Sequence, residues 1–456
     1  MSIFSAFGGG KIQSVEEAFQ QKDITSPEMK KAIRDWLALY LEGDAPKEED
    51  DCQRLPVLVV NKLCKTVFSE YEATVTGGKQ EFFAPILNRA ESVRKKAIQY
   101  AFVGGECFLK PIRLGNSFDF VVIRRDNFIP FARDVHGRIV CVATCEQSVQ
   151  NGFYYTLVER RTLQQNGDLL IEYRLFRSTD KAMLGVETSL SALPQYEALA
   201  PEILLRGIGN LGMVQLKTPL LNCVDGSDDG VSVYAPAVGL IKNINRNEQQ
   251  LNREFENGRS RVICSADMLT QDGSGKKQLT DDLFVGVEDN PETTGITVFS
   301  PALREASYLA RKQEYLRNIE SLIGMKRGIL SEVETVEKTA TEITSSAGDY
   351  NLTIQDFQEC WETALRELLV TCDKLAQAYN LGGGGFDPET DLTVDWGDGV
   401  LFDRTRTWNE YQSMVSAGLL KPELALAWYF DLPHDTPEDL ARIREDYMPE
   451  LTETEE

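Results

Sequence analysis

Residues 341–379 read TEITSSAGDYNLTIQDFQECWETALRELLVTCDKLAQAY. Within them Ile343, Ala347, Tyr350, Ile354, Phe357, Trp361, Ala364, Leu368, Cys372, Leu375 and Tyr379 recur at intervals of three and four, the spacing that gathers side chains on one helical face. A continuous helix here would be roughly 58 Å long at about 1.5 Å per residue. That exceeds the usual length in a globular domain. Gly348 and Asn351 are its candidate kink positions, and the run from Gly382 to Gly385 ends it. The stripe alone fits a long core helix of one domain as well as a more specialised element, so the flanking sequence has to decide.

Upstream, Pro236 opens a helix predicted from Ala237 to about Asn257, which stops at Gly258. A β segment follows: Ser260 to Leu269, a polar turn through Gly273-Ser-Gly-Lys276-Lys277, Leu283 to Val287, and Gly295 to Phe299. A second helix is expected from Pro301 to about Met325. A small β module therefore sits between two long helices that must run back past each other. Downstream, Leu392 to Phe402 reads as a strand pair or bulged strand. Three short helices follow, Arg404 to Ala417, Lys421 to Phe430 and Thr436 to Tyr447, punctuated by Gly418, Pro422 and Pro433. The tail from Glu450 to Glu456 is acidic.

The N-terminal half has a different texture. Ser26 caps a predicted helix and Pro27 takes its first position, with Ile33, Trp36, Leu37 and Tyr40 as the apolar stripe. An acidic linker, Gly43 to Asp51, precedes helices at Pro56 to Phe68 and about Phe83 to Phe102, the latter ending at Gly104-Gly105. From Glu106 to about Leu220 short apolar runs alternate with Asn-Gly, Gly-Asn and His-Gly pairs, which predicts antiparallel hairpins. The fold class is α+β.

The chain has 456 residues, 42% hydrophobic and 26% charged, so two to four folded domains are expected. Its formal net charge of -23 argues against gripping nucleic acid through an overall basic surface, because such binding replaces phosphate counterions with Lys and Arg. A surface of like charge would instead repel phosphate and let a duplex slide. Nine Cys at irregular spacings, without a CxxC pair, read as reduced core residues rather than a zinc site. No secretory signal is read in MSIFSAFGGGK, and no apolar run reaches the length of about 18 residues that a membrane helix needs.

Motifs for chemistry fail on context. Gly207-Ile-Gly209-Asn-Leu-Gly212 has dinucleotide-loop spacing, but Met213 to Lys217 reads as a strand and leaves no room for the helix that such a loop must open. The Gly-Lys pairs ending at Lys11, Lys79 and Lys276 lack the rest of a phosphate loop. Asp225-Gly-Ser-Asp228-Asp229-Gly230 starts like a calcium loop, but Pro236 stands where the bidentate Glu belongs, so a solvated turn is expected. His136 and His434 both lie in turns, and neither reads as a catalytic base. No cofactor, metal or catalytic residue is expected.

The order of elements resembles the portal proteins of tailed bacteriophages. Asp229-Gly-Val-Ser-Val-Tyr-Ala-Pro236, then Glu254 and Asn257-Gly-Arg259-Ser-Arg261-Val262, resembles the approach to that family's stem and clip. Lys338-Thr-Ala-Thr341-Glu342-Ile343 resembles a segment of portals from long-tailed phages of Gram-positive hosts. Gly104-Gly-Glu-Cys-Phe-Leu-Lys-Pro111, Phe128-Ile-Pro130 and Asp134-Val-His-Gly-Arg-Ile139 are similar to its wing, and Ala417-Gly-Leu-Leu-Lys-Pro-Glu423 to its crown.

The resemblance implies a wing over 1–235, stem helices over 236–259 and 301–327, and a clip over 260–300. It further implies a tunnel loop over 328–340, a long tunnel helix over 341–381, a return strand over 382–403 and a crown with acidic tail over 404–456. Such a chain is not an enzyme. It forms a ring of twelve in the virion, assembled in the host cytoplasm, and double-stranded DNA passes through without sequence-specific binding. Its expected partners are the large terminase, scaffolding protein, major capsid protein and a head-completion adaptor, with no membrane. By this analogy Glu332, Glu334, Glu337 and Lys338 face the channel, and Lys276 and Lys277 project from the clip toward terminase or adaptor. Lys242, Arg246, Arg253, Arg304, Arg311, Lys312 and Arg317 would form a basic stem face toward the capsid or scaffold, with plain solvation as the equal alternative. The rival functions are another capsid or head–tail structural protein, which would lack the β module between long helices, and a nucleotide-binding enzyme built on the Gly207 loop.

Overall fold

A computed structural model describes residues 14–41, 53–258, 261–263, 269–271, 277–279, 297–299, 302–332, 340–397, 404–430, 432–433 and 436–448. The chain divides into two compact units, one of Met1–Val67 with Ala73–Thr393 and one of Phe68–Glu72 with Val394–Glu456.

The first unit opens with α1 (Val15–Phe19), a short helix that the periodicity missed, held by a capping box between Ser14 and Glu17. Helix α2 (Pro27–Tyr40) starts where the sequence predicts: Ser26 Oγ accepts from the Met29 N–H at 3.1 Å. Met29, Ile33, Trp36 and Leu37 form its buried stripe. Then come α3 (Leu55–Val67), β1 (Glu72–Val75) and α4 (Gln80–Gly104).

The strands run longer than their apolar cores suggest. They are β2 (Glu106–Leu114), β3 (Ser117–Arg124), β4 (Phe128–Arg133), β5 (Ile139–Gln150), β6 (Phe153–Leu163) and β7 (Leu169–Ser178). Three short ones complete the set: β8 (Val186–Thr188), β9 (Glu202–Leu205) and β10 (Val214–Lys217). One antiparallel sheet has the order β10-β2-β3; another runs β4-β5-β6-β7, with β8 and β9 both pairing β7. The β5–β6 hairpin turns at Asn151 (φ 51°) and Gly152 (φ 78°), the positive pair that a tight two-residue turn requires and that Asn-Gly supplies.

Next come α5 (Val238–Asn257), four short strands, β11 (Arg261–Ile263), β12 (Leu269–Gln271), β13 (Lys277–Leu279) and β14 (Thr297–Phe299), and α6 (Glu305–Ile323). Strand β11 pairs β14 and β12 pairs β13, both antiparallel. The strand expected from Leu283 to Val287 lies outside the described residues. Helix α7 spans Ala340–Ala378 without a break, so Gly348 and Asn351 do not interrupt it. Its inner half is the spine of the first unit, packed against α3, α4 and β10. Trp361 is fully buried, and the Phe357 ring packs tilted against Phe102 with centroids 4.6 Å apart. Strand β15 (Leu392–Asp395) pairs β1.

The second unit holds α8 (Arg404–Ser416), α9 (Pro422–Phe430) and α10 (Pro437–Tyr447), close to the predicted bounds. Thr436 and Asp439 form a capping box on α10, and Arg444 Nε donates to the largely buried Glu423 at 2.6 Å.

Helix α4 ends at Gly105, whose φ of 86° only glycine adopts freely. A Cβ there would lie 2.2 Å from the carbonyl of Gly230, so two backbone segments touch where no side chain fits. Gly105→Ala should therefore cost at least about 2 kcal/mol, as overpacking against backbone does. Gly115→Ala, which also has positive φ but meets open space, should cost less. Denaturant midpoints of the two variants give the comparison.

Candidate functional site

Helices α5 and α6 form an antiparallel pair within the first unit. Ile241, Ile244 and Leu251 bury one face of α5; Leu316, Ile319 and Ile323 bury one face of α6. Polar contacts fix the register. Asn247, almost fully buried, donates to the Tyr308 carbonyl at 3.1 Å. Lys312 Nζ meets Glu248 at 3.0 Å, and Arg304 donates to both oxygens of Glu254 at 3.0 and 2.6 Å. As α5 advances from Glu248 to Glu254, its α6 partner retreats from Lys312 to Arg304, which makes the helices antiparallel. Hydrogen bonding to Arg304 holds the Glu254 carboxyl below the usual carboxylate range and raises the guanidinium in turn. At the far end β11 and β14 join the helices, with Arg261 opposite Phe299 and Ile263 opposite Thr297.

The segment leading into α5 is threaded through the first unit. Val231, Ser232, Val233 and Tyr234 are all buried. The Val233 N–H and Ser232 Oγ both donate to the Phe102 carbonyl at 2.9 Å, and Tyr234 donates to the Trp36 carbonyl at 2.9 Å. Beside them lies a buried ion network. Arg125, 0% exposed, sits 3.0 Å from Glu106 through Nε and 3.3 Å from Asp229 through Nη2, which also donates to Thr25 at 2.9 Å. Arg133 adds a 2.7 Å bond to Asp229. Two guanidinium groups thus face two carboxylates. The turn is solvated from Asp225 to Asp228, as expected, with Asp225 accepting from the Ser26 hydroxyl, but its last two residues depart from that expectation: Gly230 is buried, and Asp229 is buried and paired.

The return from α6 is shaped by one carboxylate. Gly324 adopts a left-handed conformation (φ 73°) and ends the helix. Glu320, 0% exposed, then accepts from the N–H groups of Gly328, Leu330 and Ser331 at 3.1, 2.5 and 2.9 Å, and from Ser331 Oγ at 2.7 Å. The Glu332 N–H donates to Gln313 at 2.9 Å, so residues 324–332 fold back on α6. Sequence reading missed Glu320, Arg125 and Asp229; in the sequence they are a charge on a helix face, a charge after a strand and an Asp in a turn.

A profile of the family described as "Phage portal protein, SPP1 Gp6-like" matches residues 86–448. The chain belongs to this family. It is therefore a phage portal protein, a structural component of the virion at the head–tail connection, and not an enzyme. Among solved structures, a chain in the neck of a native gene transfer agent (GTA) particle computed with C12 symmetry is similar at 10% identity and TM-score 0.46, over 90% of this chain and 95% of that one. A chain in the virion of a native GTA particle is similar at 10% identity and TM-score 0.46, over 90% of this chain and 96% of that one. No curated protein matches the sequence.

The portal fold sorts the candidate residues. Of the seven helix cations, Arg304 and Lys312 pair across the helices, Lys242 meets Asp35 at 3.1 Å, and Arg317 lies 4.0 Å from Glu314. Arg253 and Arg246 are exposed, and Arg246 has no ion pair among the described residues. Arg311 donates to Tyr315 Oη at 2.8 Å. Arg246 and Arg311 share a groove between α5 and α6. Glu332 is exposed; Glu334, Glu337 and Lys338 lie outside the described residues, as does Lys276, while Lys277 begins β13. The Gly207 loop joins β9 to β10 with no helix after it. It is pinned by Asn210 donating to Thr371 at 2.7 Å and Arg161 donating to the Leu211 carbonyl at 2.8 Å. Among the described residues no group of His, Cys, Asp and Glu could hold a metal, the seven described cysteines are free thiols, and no helix is long and apolar enough to cross a membrane.

Glu320→Ala would strand the buried amide and hydroxyl of Ser331 and the half-buried amides of Gly328 and Leu330, a buried donor costing about 1–3 kcal/mol when left unpaired. Amide exchange at Gly328, Leu330 and Ser331 should accelerate at least about tenfold, since 1.4 kcal/mol is a factor of ten. Exchange in β5 and β6 should not change, which mass-spectrometric peptide mapping can read.

Proposed function

We propose that twelve copies of this portal chain close into a ring at one capsid vertex, and that double-stranded DNA enters and leaves the head through its channel. The observation that carries the reading is the family match over residues 86–448. Phe255, Leu303, Leu309, Leu322 and Leu352 on α5, α6, α7 and the lead-in to α6 are 40–60% exposed, apolar side chains that neighbouring subunits of a ring would cover. Head-to-tail contacts that close give rings.

In this reading 1–235 is the wing, α5 and α6 are the stem, and the strands between them are the clip, the docking surface for the large terminase and later for a head-completion adaptor. Residues 328–340 form the tunnel loop, α7 is the tunnel helix, 382–403 returns to the wing, and 404–456 forms the crown. Scaffolding protein and major capsid protein meet the outer surface. The Thr-Ala-Thr341-Glu342 segment favours a long-tailed phage of a Gram-positive host. Closed rings in negative-stain images of the purified protein are the expected result; a stable monomer at micromolar concentration would overturn the reading.

Glu332, Glu334 and Glu337 would repeat around such a ring as negative belts. DNA carries a charge about every 1.7 Å of its axis, so these belts would repel the duplex and prevent adhesion. Replacing all three with Lys should leave assembly unchanged but slow packaging at low salt. The slowing should ease as salt rises, because phosphate–Lys contacts are screened. Packaging assays across a salt series give the measurement; a normal rate at low salt rules the belts out.

A further inference from the structure

The groove between α5 and α6 encloses about 500 Å³. Arg246 and Arg311 face it together with Tyr308, Tyr315 and Asn247. Asn243, Gln250 and Ser307 complete the lining. Not one carboxylate is present, although the chain carries 71 Asp and Glu against 48 Lys and Arg. Nor does any aliphatic side chain line it. Of the carboxylates on the two helices, Glu248 is engaged with Lys312, Glu254 with Arg304 and Glu320 in its backbone nest, and Glu256, Glu305 and Glu314 do not line the groove. Arg246 is left with an unpaired charge among the described residues. Arg311 lies over the Tyr315 ring at 5.2 Å and donates through Nε to its hydroxyl, an arrangement that fixes the guanidinium while leaving its terminal nitrogens to an external acceptor.

Arg with Ser, Asn, Gln and Tyr is the set of side chains that contacts DNA sugar and phosphate, positioning a duplex without reading its sequence. The groove has no aliphatic anchor, its aromatic surface is confined to Tyr308 and Tyr315, and the Tyr315 ring is already covered by Arg311; an acidic protein segment is the rival occupant that the test below distinguishes. From this local charge complementarity we infer that the α5–α6 groove is a sequence-independent contact for the DNA phosphate backbone. The inference rests on the portal reading for its source of DNA. It gives an otherwise repelling chain one weak site of attraction per subunit.

The test uses full-length protein and a short labelled blunt-ended duplex of arbitrary sequence, followed by fluorescence anisotropy over a salt series. The wild-type protein should bind weakly and with strong salt dependence. Arg246→Gln/Arg311→Gln should lower affinity at low salt by roughly tenfold or more and reduce the salt slope by about one for each phosphate contact removed. Tyr315→Phe, which frees Arg311 from its hydroxyl, should give a smaller loss. Arg206→Gln, an exposed arginine between β9 and β10, should change nothing. Equal binding by wild type and the double variant, or no wild-type binding at low salt, overturns the inference. So does polyglutamate displacing the duplex from the wild type while the double variant no longer binds polyglutamate, which would mark an acidic-protein site. Negative-stain images of the same samples separate the two readings: absent rings would count against the portal ring, whereas intact rings with unchanged DNA binding would count against the groove alone.

Discussion

Arg125 is a charge with no access to water, and the helix pair hangs from the way that charge is neutralised. A lone buried guanidinium would be prohibitive, so Glu106 and Asp229 must both be present, and Arg133 must balance the second carboxylate. These four residues come from the start of β2, the turn after β3, the end of β4 and the approach to α5. Removing one partner from such a network typically costs about 3–5 kcal/mol, because the remaining charges are left buried. The network therefore does more than stabilise. It specifies which backbone segments lie side by side, and it brings Gly230 against Gly105, where only the absence of two side chains permits the approach.

The local features of the fold were legible because local rules govern them. Ser26-Pro27 marks a helix start, Asn151-Gly152 a tight hairpin, and the Tyr350 to Leu375 stripe a helix whose inward face is indeed buried. Gly258 stops α5 where expected. What escaped was set by distance in the chain. Thr25 and Arg125 stand 100 residues apart, and nothing near either one announces the other. Helix α1 was too short for its periodicity to register, and β8 and β9 are strands mainly because β7 offers its edge.

Electrostatics shows the same division. Sequence reading singled out seven basic residues on and beside α5 and α6 but could not see that Glu248 and Glu254 lie across from two of them. Pairing along the helices turns a string of cations into a register device, leaving Arg246 and Arg311 at the groove. Glu320 reverses the lesson: an unremarkable helix glutamate becomes the acceptor around which a whole return segment is wound. In each case the residue's chemistry was visible and its address was not.

The pairing of β11 with β14 has an evolutionary corollary. Adjacent strands stand about 4.8 Å apart, so the chain departs from the helix pair and comes back to it at nearly the same point. Whatever lies between Ile263 and Thr297 can lengthen, shorten or be rewritten without shifting α5 against α6 by a single turn. Such a junction lets the intervening segment change in length and sequence while the packing of the two helices is kept.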